Sequence, residues 1–117
     1  MRTHLHALEA LLWSSGEEFD GHGASDQLVA RVVKDWTAFE AMLPAAFDPD
    51  EAYLGRLPNG DGWAQVAHDW ILTRNRHGCG FWEPEWDLPW REVLTALAHR
   101  QGELEVYLGD DGEAYAL

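Results

Sequence analysis

Four side chains that could bind a metal or transfer protons lie between positions 68 and 79: His68, Asp69, His77 and Cys79. Imidazole, carboxylate and thiolate groups are common ligands of zinc and iron, so this segment could form a metal site. The spacing matches no known zinc motif, and His77 and Cys79 would have to point into one pocket. We therefore expect neither a metal nor another cofactor.

Two catalytic hypotheses use the same segment. Cys79 would act as a nucleophile if His77 or His68 lowered the pKa of its thiol. Alternatively, His68 and Asp69 could perform nuclease-type acid–base chemistry with Arg74. The acidic composition of the chain disfavours a nucleic-acid substrate, so we expect a protein that is not an enzyme.

The preferred interpretation of this segment is a structural motif. Asp69 would accept hydrogen bonds from Arg74 or from turn amides. Asn75 would close an Asx turn, and His77 would bond a backbone carbonyl. The glycines would allow close backbone approach, and the two aromatic residues after them would pack against helices. The predicted structural residues are His68, Asp69, Arg74, Asn75, His77, Gly78, Gly80, Phe81 and Trp82.

The first half of the chain predicts helices that would support this motif. Leucines at helical spacing from Thr3 to Trp13 indicate one helix, which ends before Gly16. A second helix would begin after Ser25, a favourable N-cap residue, and end at Pro44. Its apolar residues recur every three or four positions and predict one buried face. They are Leu28, Val32, Trp36, Phe39 and Leu43.

The central segment predicts a change from helix to strand. Residues 63–68 would form a short helix that leads into a strand at 70–74. A turn at 75–78 would then return the chain as a partner strand at 80–82.

The final segment predicts one more helix and a hairpin. The helix would have Pro89 at its first position and a C-terminal cap at Gly102. Alternating apolar residues over 104–108 and a short run at 113–117 predict two strands. A type I′ turn centred on 111–112 would join them.

Length and composition place these elements in one α+β domain. A chain of 117 residues suits a single core, so we expect one domain over 1–117. The N-terminal helices would pack on a small antiparallel sheet formed by the C-terminal half. The only cysteine, Cys79, excludes an internal disulfide and suits a reducing cytoplasm. No apolar run approaches the roughly 18 residues that a membrane span needs, so we expect a cytoplasmic protein without membrane contact.

The chain is strongly acidic. It has 21 Asp and Glu against eight Lys and Arg, and both halves contribute to its formal net charge of −13. Such a field repels nucleic acid, so we expect no direct binding of DNA or RNA. The negative charge favours binding to a basic protein surface, or to a basic groove in which carboxylates of this chain take the place of phosphates. Solubility alone, or an acidic host proteome, would also explain the charge.

Two blocks of the sequence resemble a family of small proteins from tailed bacteriophages and related mobile elements. The first block, from His68 to Trp82, follows the pattern H-D-x-x-L-T-R-N-x-H-G-x-G-F-W, and the second contains Y-L-G-D-D-G from Tyr107. The residues Leu12-Trp13-Ser14-Ser15 also match an L-W-S-S near the start of such proteins. The resemblance implies a phage or mobile-element accessory protein and does not imply an activity.

This chain departs from the family pattern at several positions. Cys79 stands where the family usually has alanine, which argues against a catalytic thiol. Arg76 replaces a small residue and adds a charge at the predicted turn. The remaining departures keep the apolar or acidic character: Trp70-Ile71 for Phe-Trp, and Glu83 for aspartate.

The leading functional expectation is a phage-encoded counter-defence inhibitor of the anti-CRISPR kind, which would act as a DNA mimic. It would bind a basic, nucleic-acid-handling host complex, with a CRISPR effector as the favoured partner. One alternative is a small metal-dependent or acid–base enzyme that uses the segment from His68 to Cys79. Another is a virion assembly protein that self-associates. The predicted partner-binding residues are Glu17, Glu18, Asp20, Asp48, Asp50, Glu51, Glu83, Glu85, Trp86 and Asp87.

Overall fold

The computed structural model describes residues 3–57, 61–77 and 80–117. Gly78, assigned above to the structural motif, lies outside the described residues, as does Cys79, the candidate ligand and nucleophile. The described residues form helices and a two-stranded antiparallel sheet, which confirms the predicted α+β class. None of their helices has the length and apolar character needed to span a membrane. The elements are α1 (Thr3–Ser15), a 3-10 turn (Glu17–Phe19), α2 (Asp26–Met42), α3 (Pro49–Ala52), α4 (Gly62–Arg74), α5 (Trp90–Arg100), β1 (Val106–Leu108) and β2 (Ala114–Ala116).

Helix α2 follows the sequence pattern closely. The Ser25 side chain caps it by accepting a hydrogen bond from the Leu28 amide at 3.1 Å. Four of the five predicted apolar residues on one face are buried, and Leu43 is the partly buried C-cap residue. The helix ends just before Pro44, which cannot continue the helical hydrogen bonds.

Helix α4 is the main departure from the predicted secondary structure. One continuous helix spans Gly62–Arg74, so the strand predicted at 70–74 is wrong. Its predicted partner at 80–82 is also wrong, because those residues form a bend and turns. Helix α4 packs mainly against α1 and is buried on nearly every side. It therefore lacks the polar face whose periodicity marks a surface helix.

The sheet is a short hairpin. Strands β1 and β2 pair antiparallel, with Tyr107 opposite Tyr115. The Gly112 amide donates to the Gly109 carbonyl, and among the four turn residues only Gly112 has a positive φ, of 79°. A type I′ turn needs positive φ at both central residues, so the predicted turn type is wrong. Asp111 stabilises the observed turn by accepting from the Tyr115 hydroxyl at 2.6 Å, which raises the pKa of Tyr115 to about 12.

The residues before and within the start of α2 cover the outer edge of β2. The Ser25 amide donates to the Ala114 carbonyl, and the Ala114 amide donates to the Gly23 carbonyl, both at 2.9 Å. The Gln27 side-chain amide continues this pairing, because it donates to the Ala116 carbonyl at 3.0 Å and accepts from the Ala116 amide at 2.8 Å. These contacts pair backbone groups that an edge strand would otherwise leave open.

Aromatic rings from four parts of the chain form the centre of the core. The Phe39 ring of α2 stacks on Phe81 with centroids 6.0 Å apart, and Trp36 meets Trp70 edge-on at 5.2 Å. Phe81 in turn contacts Trp86 at 5.5 Å. All five side chains are at most 1 % exposed, so the core fixes the segment after α4 against the helices.

Candidate functional site

The buried carboxylate of Asp69 is the centre of the candidate site, with only 5 % of the residue exposed. Its Oδ1 accepts from the Gln65 side-chain amide at 3.0 Å and from Nδ1 of His68 at 2.8 Å. Its Oδ2 accepts from the Trp86 indole N–H at 2.7 Å. These three donors fix the orientation of the carboxylate beside the surface.

Arg74, the predicted partner of Asp69, makes a different set of contacts. Its Nη1 donates to Oδ2 of Asp35 at 2.9 Å, and its Nε donates to the Gly102 carbonyl at 2.8 Å. The guanidinium also lies over the Trp70 ring, 5.3 Å from its centroid. The predicted pair is wrong because residues five apart on a helix point to different faces. Burial lowers the pKa of Arg74, and the contacts with Asp35 oppose that effect.

Asn75 and His77 also differ from their predicted roles. The Asn75 side-chain amide pairs with the Leu104 backbone, donating to its carbonyl at 3.0 Å and accepting from its N–H at 2.7 Å. This pairing replaces the predicted Asx turn. The His77 ring contacts Trp13 at 5.8 Å, and its Nδ1 has no hydrogen-bond partner among the described residues. The predicted bond from His77 to a backbone carbonyl is therefore not made by this atom.

Thr73 and Gly80 position the segment that follows α4. The Thr73 hydroxyl donates to the Asp69 carbonyl at 2.7 Å and accepts from the Phe81 amide at 3.0 Å. A Cβ atom at Gly80 would collide with this hydroxyl and crowd the ring of Trp82, which is half-buried. Gly80 thus permits the close approach that seats Phe81 in the core.

A small cleft opens beside Asp69. Its volume is about 240 Å³, and its walls include Tyr53, His68, Glu83, Glu85 and Trp86. Burial raises the pKa of Tyr53, and the charges of Asp69 and Glu85 raise it further. The cleft therefore has a negative potential and aromatic walls, a combination that attracts cations.

A contact between two distant segments builds the far wall of this cleft. The Leu54 amide donates to the Glu85 carbonyl at 2.6 Å, and the Asp87 amide donates to the Ala52 carbonyl at 2.8 Å. The Tyr53 and Trp86 rings meet edge-on between these bonds, with centroids 5.0 Å apart. Residue types and spacing gave no signal for this pairing, because 32 other residues separate the two aromatic positions in the chain.

The same pairing brings together the segments that carry many of the predicted partner-binding carboxylates. Helix α3 is joined to the segment 83–87 by these bonds, and Asp50 accepts from the Gly62 amide at 2.8 Å, next to Asp61. Leu54 and Leu88, which are 62 % and 53 % exposed, lie in the same segments. Two arginines, Arg56 and Arg91, follow these leucines within three positions. The carboxylates of the region outnumber the arginines. We call the following carboxylates the acidic face: Asp48, Asp50, Glu51, Asp61, Glu83, Glu85 and Asp87.

Four predicted contact residues, three carboxylates and one tryptophan, do not belong to the acidic face. Glu17, Glu18 and Asp20 follow the C-terminal end of α1, and the Ser15 at that end lines a cavity together with Asn75, just after α4. The start of α4 lies next to α3, which carries part of the acidic face. Glu17, Glu18 and Asp20 lie near the other end of α4, and this helix is about 20 Å long. Trp86 was predicted as an exposed anchor, and this is wrong because its side chain is 0 % exposed.

The chemistry of a metal site is not assembled in the part of the chain that the structure describes. No group of three or more His, Cys, Asp or Glu side chains is placed there to hold one ion. His68 contacts Asp69, while His77 lies against Trp13 on α1. Comparisons of the chain with protein-family models, curated proteins and solved structures find no match.

Proposed function

We propose that this protein is a phage-encoded inhibitor that binds a basic surface on a nucleic-acid-handling host protein. The observation that supports the proposal is the acidic face, whose seven carboxylates lie on neighbouring segments that also carry two exposed leucines. Charged groups around an apolar centre are typical of protein interfaces. The sequence resemblance to phage accessory proteins favours a CRISPR effector complex as the partner.

Electrostatics gives the acidic face its proposed role. Carboxylates on a folded surface attract a basic groove over a distance and speed the encounter with it. They occupy positions that phosphates would otherwise take, so binding by this protein and by nucleic acid becomes mutually exclusive. Leu54 and Leu88 then supply apolar contact once the surfaces meet.

A second candidate function is acid–base catalysis by His68 and Asp69. The observation in its favour is the 2.8 Å contact between His68 Nδ1 and the buried carboxylate, which orients the imidazole beside the cleft. The volume of about 240 Å³ is below the roughly 300–1,000 Å³ of typical ligand pockets. The structure therefore supports an interface better than it supports a substrate pocket.

The experiment for the inhibitor proposal is capture of a partner from lysate of a bacterium that carries a CRISPR system. Tagged protein is incubated with lysate, washed at increasing NaCl and analysed by mass spectrometry. We expect a stoichiometric nucleic-acid-binding complex that is released as the salt rises, because exposed charge attraction is screened. Added DNA should compete with the tagged protein for the captured partner.

Two matched variants make the capture experiment specific. The first changes the acidic face by Glu51→Gln, Glu85→Gln and Asp87→Asn, all at exposed positions. The second makes the same number of changes in the distant group by Glu17→Gln, Glu18→Gln and Asp20→Asn. Loss of capture in the first variant alone supports the proposal. Capture that neither variant weakens, or that persists at high salt, contradicts it.

A further inference from the structure

The size of the cleft beside Asp69 suits one side chain better than a small-molecule substrate. Its volume of about 240 Å³ is roughly eight times the 30 Å³ that a water molecule occupies in the liquid. At the centre of a protein interface, a cleft of this size can receive one anchoring side chain from the partner. It lies within the acidic face, since Glu83 and Glu85 form part of both.

The charge of Asp69 has no Lys or Arg partner in the described parts of the chain. It accepts a hydrogen bond from the His68 ring, and its other donors among the described residues are the neutral side chains of Gln65 and Trp86. A buried carboxylate is stabilised most by a cation, and a carboxylate can accept about four hydrogen bonds. From the residues that the structure describes, Asp69 accepts three. Its environment is therefore one that an added cation would stabilise.

The aromatic walls favour a guanidinium over an ammonium group. The half-buried ring of Tyr53 lies beside the carboxylates, and a planar guanidinium can stack on a ring while it donates to an acid. The chain itself contains this combination elsewhere. Arg74 lies over Trp70 at 5.3 Å while it donates to Asp35 at 2.9 Å.

We propose that the cleft receives one arginine side chain of the basic partner, held by Glu83, Glu85 and Asp69 beside the ring of Tyr53. This inference rests on the proposed function and names the contact at the centre of its interface. Glu83 and Glu85 provide carboxylates near the opening, and Asp69 provides the buried one. The partner would therefore present an arginine that also contacts nucleic acid when the inhibitor is absent.

The first test measures binding of N-acetyl-arginine amide to the purified chain by ¹H–¹⁵N NMR titration. N-acetyl-citrulline amide is the matched neutral probe, since it keeps the shape and lacks the charge. The Trp86 indole N–H reports directly on the cleft because it donates to Asp69. We expect the arginine probe to shift this signal at millimolar concentration and the citrulline probe to leave it in place. Equal shifts with both probes, or shifts located elsewhere, would overturn the inference.

Variants test which carboxylates bind the arginine probe. The Glu83→Gln and Glu85→Gln double variant should weaken binding of the arginine probe about threefold to tenfold, as expected for partly exposed ion pairs. Glu92→Gln, at an exposed position on α5, is the control and should have no effect. Unchanged binding in the double variant, with an intact NMR spectrum, would contradict the inference.

The outcomes for the cleft and for the proposed function can be distinguished. A captured basic partner that the double variant binds as well as the wild type contradicts the arginine contact and leaves the inhibitor proposal standing. Arginine binding in the cleft without capture of any basic partner contradicts the inhibitor proposal. Weakened capture by the double variant, with Glu92→Gln unchanged, supports both.

Discussion

At the scale of single residues, the Asp69 carboxylate connects parts of the molecule that are distant in sequence. It accepts from Gln65 and His68 on its own helix and from Trp86, 17 positions further along the chain. The indole of Trp86 also contacts Tyr53, which belongs to the segment after α3. The hydrogen bond from Trp86 to Asp69 therefore joins α4 to the far wall of the cleft.

We predict that Trp86→Phe destabilises the protein by about 2–4 kcal/mol, because it leaves Oδ2 of Asp69 without its donor and removes buried ring volume. Urea unfolding followed by circular dichroism measures the change in the free energy of unfolding. Trp63→Phe is the matched control, since Trp63 is 38 % exposed. A change of less than about 1 kcal/mol for Trp86→Phe would show that the bond contributes little net stability.

Residue types predicted part of the candidate site and missed the rest. His68 and Asp69 were recognised because imidazole and carboxylate neighbours suggest proton chemistry. The sequence did indicate that Gln65 could contact Asp69, since it lies four positions before Asp69 and therefore on the same side of a helix. Tyr53 carried none, and Trp86 was predicted as a partner contact rather than as a donor to Asp69, because only tertiary contacts bring these two residues to the cleft.

At the scale of elements, burial decides which helices the sequence could predict. Helix α2 lies at the surface, so its polar residues mark the apolar stripe and its cap at Ser25 was recognised. Helix α4 is buried on nearly all sides, and its segment Trp70–Thr73 has the aromatic and β-branched residues of a strand. Packing against α1 overrides that local preference.

The contact between α3 and α4 depends on Gly62, and we predict that Gly62→Ala disrupts it. A Cβ atom there would lie 2.7 Å from the Asp50 backbone nitrogen, so the two helices would have to move apart. We expect a loss of about 1–3 kcal/mol in the free energy of unfolding, as for other overpacked sites. Thermal and urea denaturation measure it.

The control for this prediction is Gly23→Ala, because an added Cβ at Gly23 has no neighbour within 4 Å. The Gly62 variant should also weaken capture by the acidic face, since α3 carries three of its carboxylates: Asp48 at the cap, Asp50 and Glu51. Equal stability of the two variants would show that α3 adjusts to the extra methyl group.

At the scale of the whole molecule, the net charge of −13 is carried mostly by exposed side chains. The buried charges are exceptional and specifically paired, as with Arg74 and Asp35. Composition alone predicted an acidic surface, and it could not predict that backbone pairing of two segments would collect seven carboxylates in one region. The distribution of charge follows from tertiary structure.

Repulsion on this surface leads to a prediction for stability. We expect the melting temperature to rise when NaCl is increased from about 0.02 to 0.5 M, because screening weakens repulsion among like charges. The triple variant at Glu51, Glu85 and Asp87 should show a smaller rise in differential scanning fluorimetry. A melting temperature that falls with salt would mean that attractive ion pairs, such as Arg31 with Asp35, outweigh the repulsion.

The pairing of Gln27 with Ala116 has a consequence for the order of folding. The two residues are 89 positions apart in the chain, and the Gln27 side-chain amide both donates to and accepts from the Ala116 backbone. A contact of that sequence separation closes a long loop, which costs entropy before any bond is gained. We therefore expect the hairpin to dock on the start of α2 late in folding, after most of the chain has collapsed. The part of the protein that is expected to form last is then also the part that completes the hydrogen bonds at the beginning of α2.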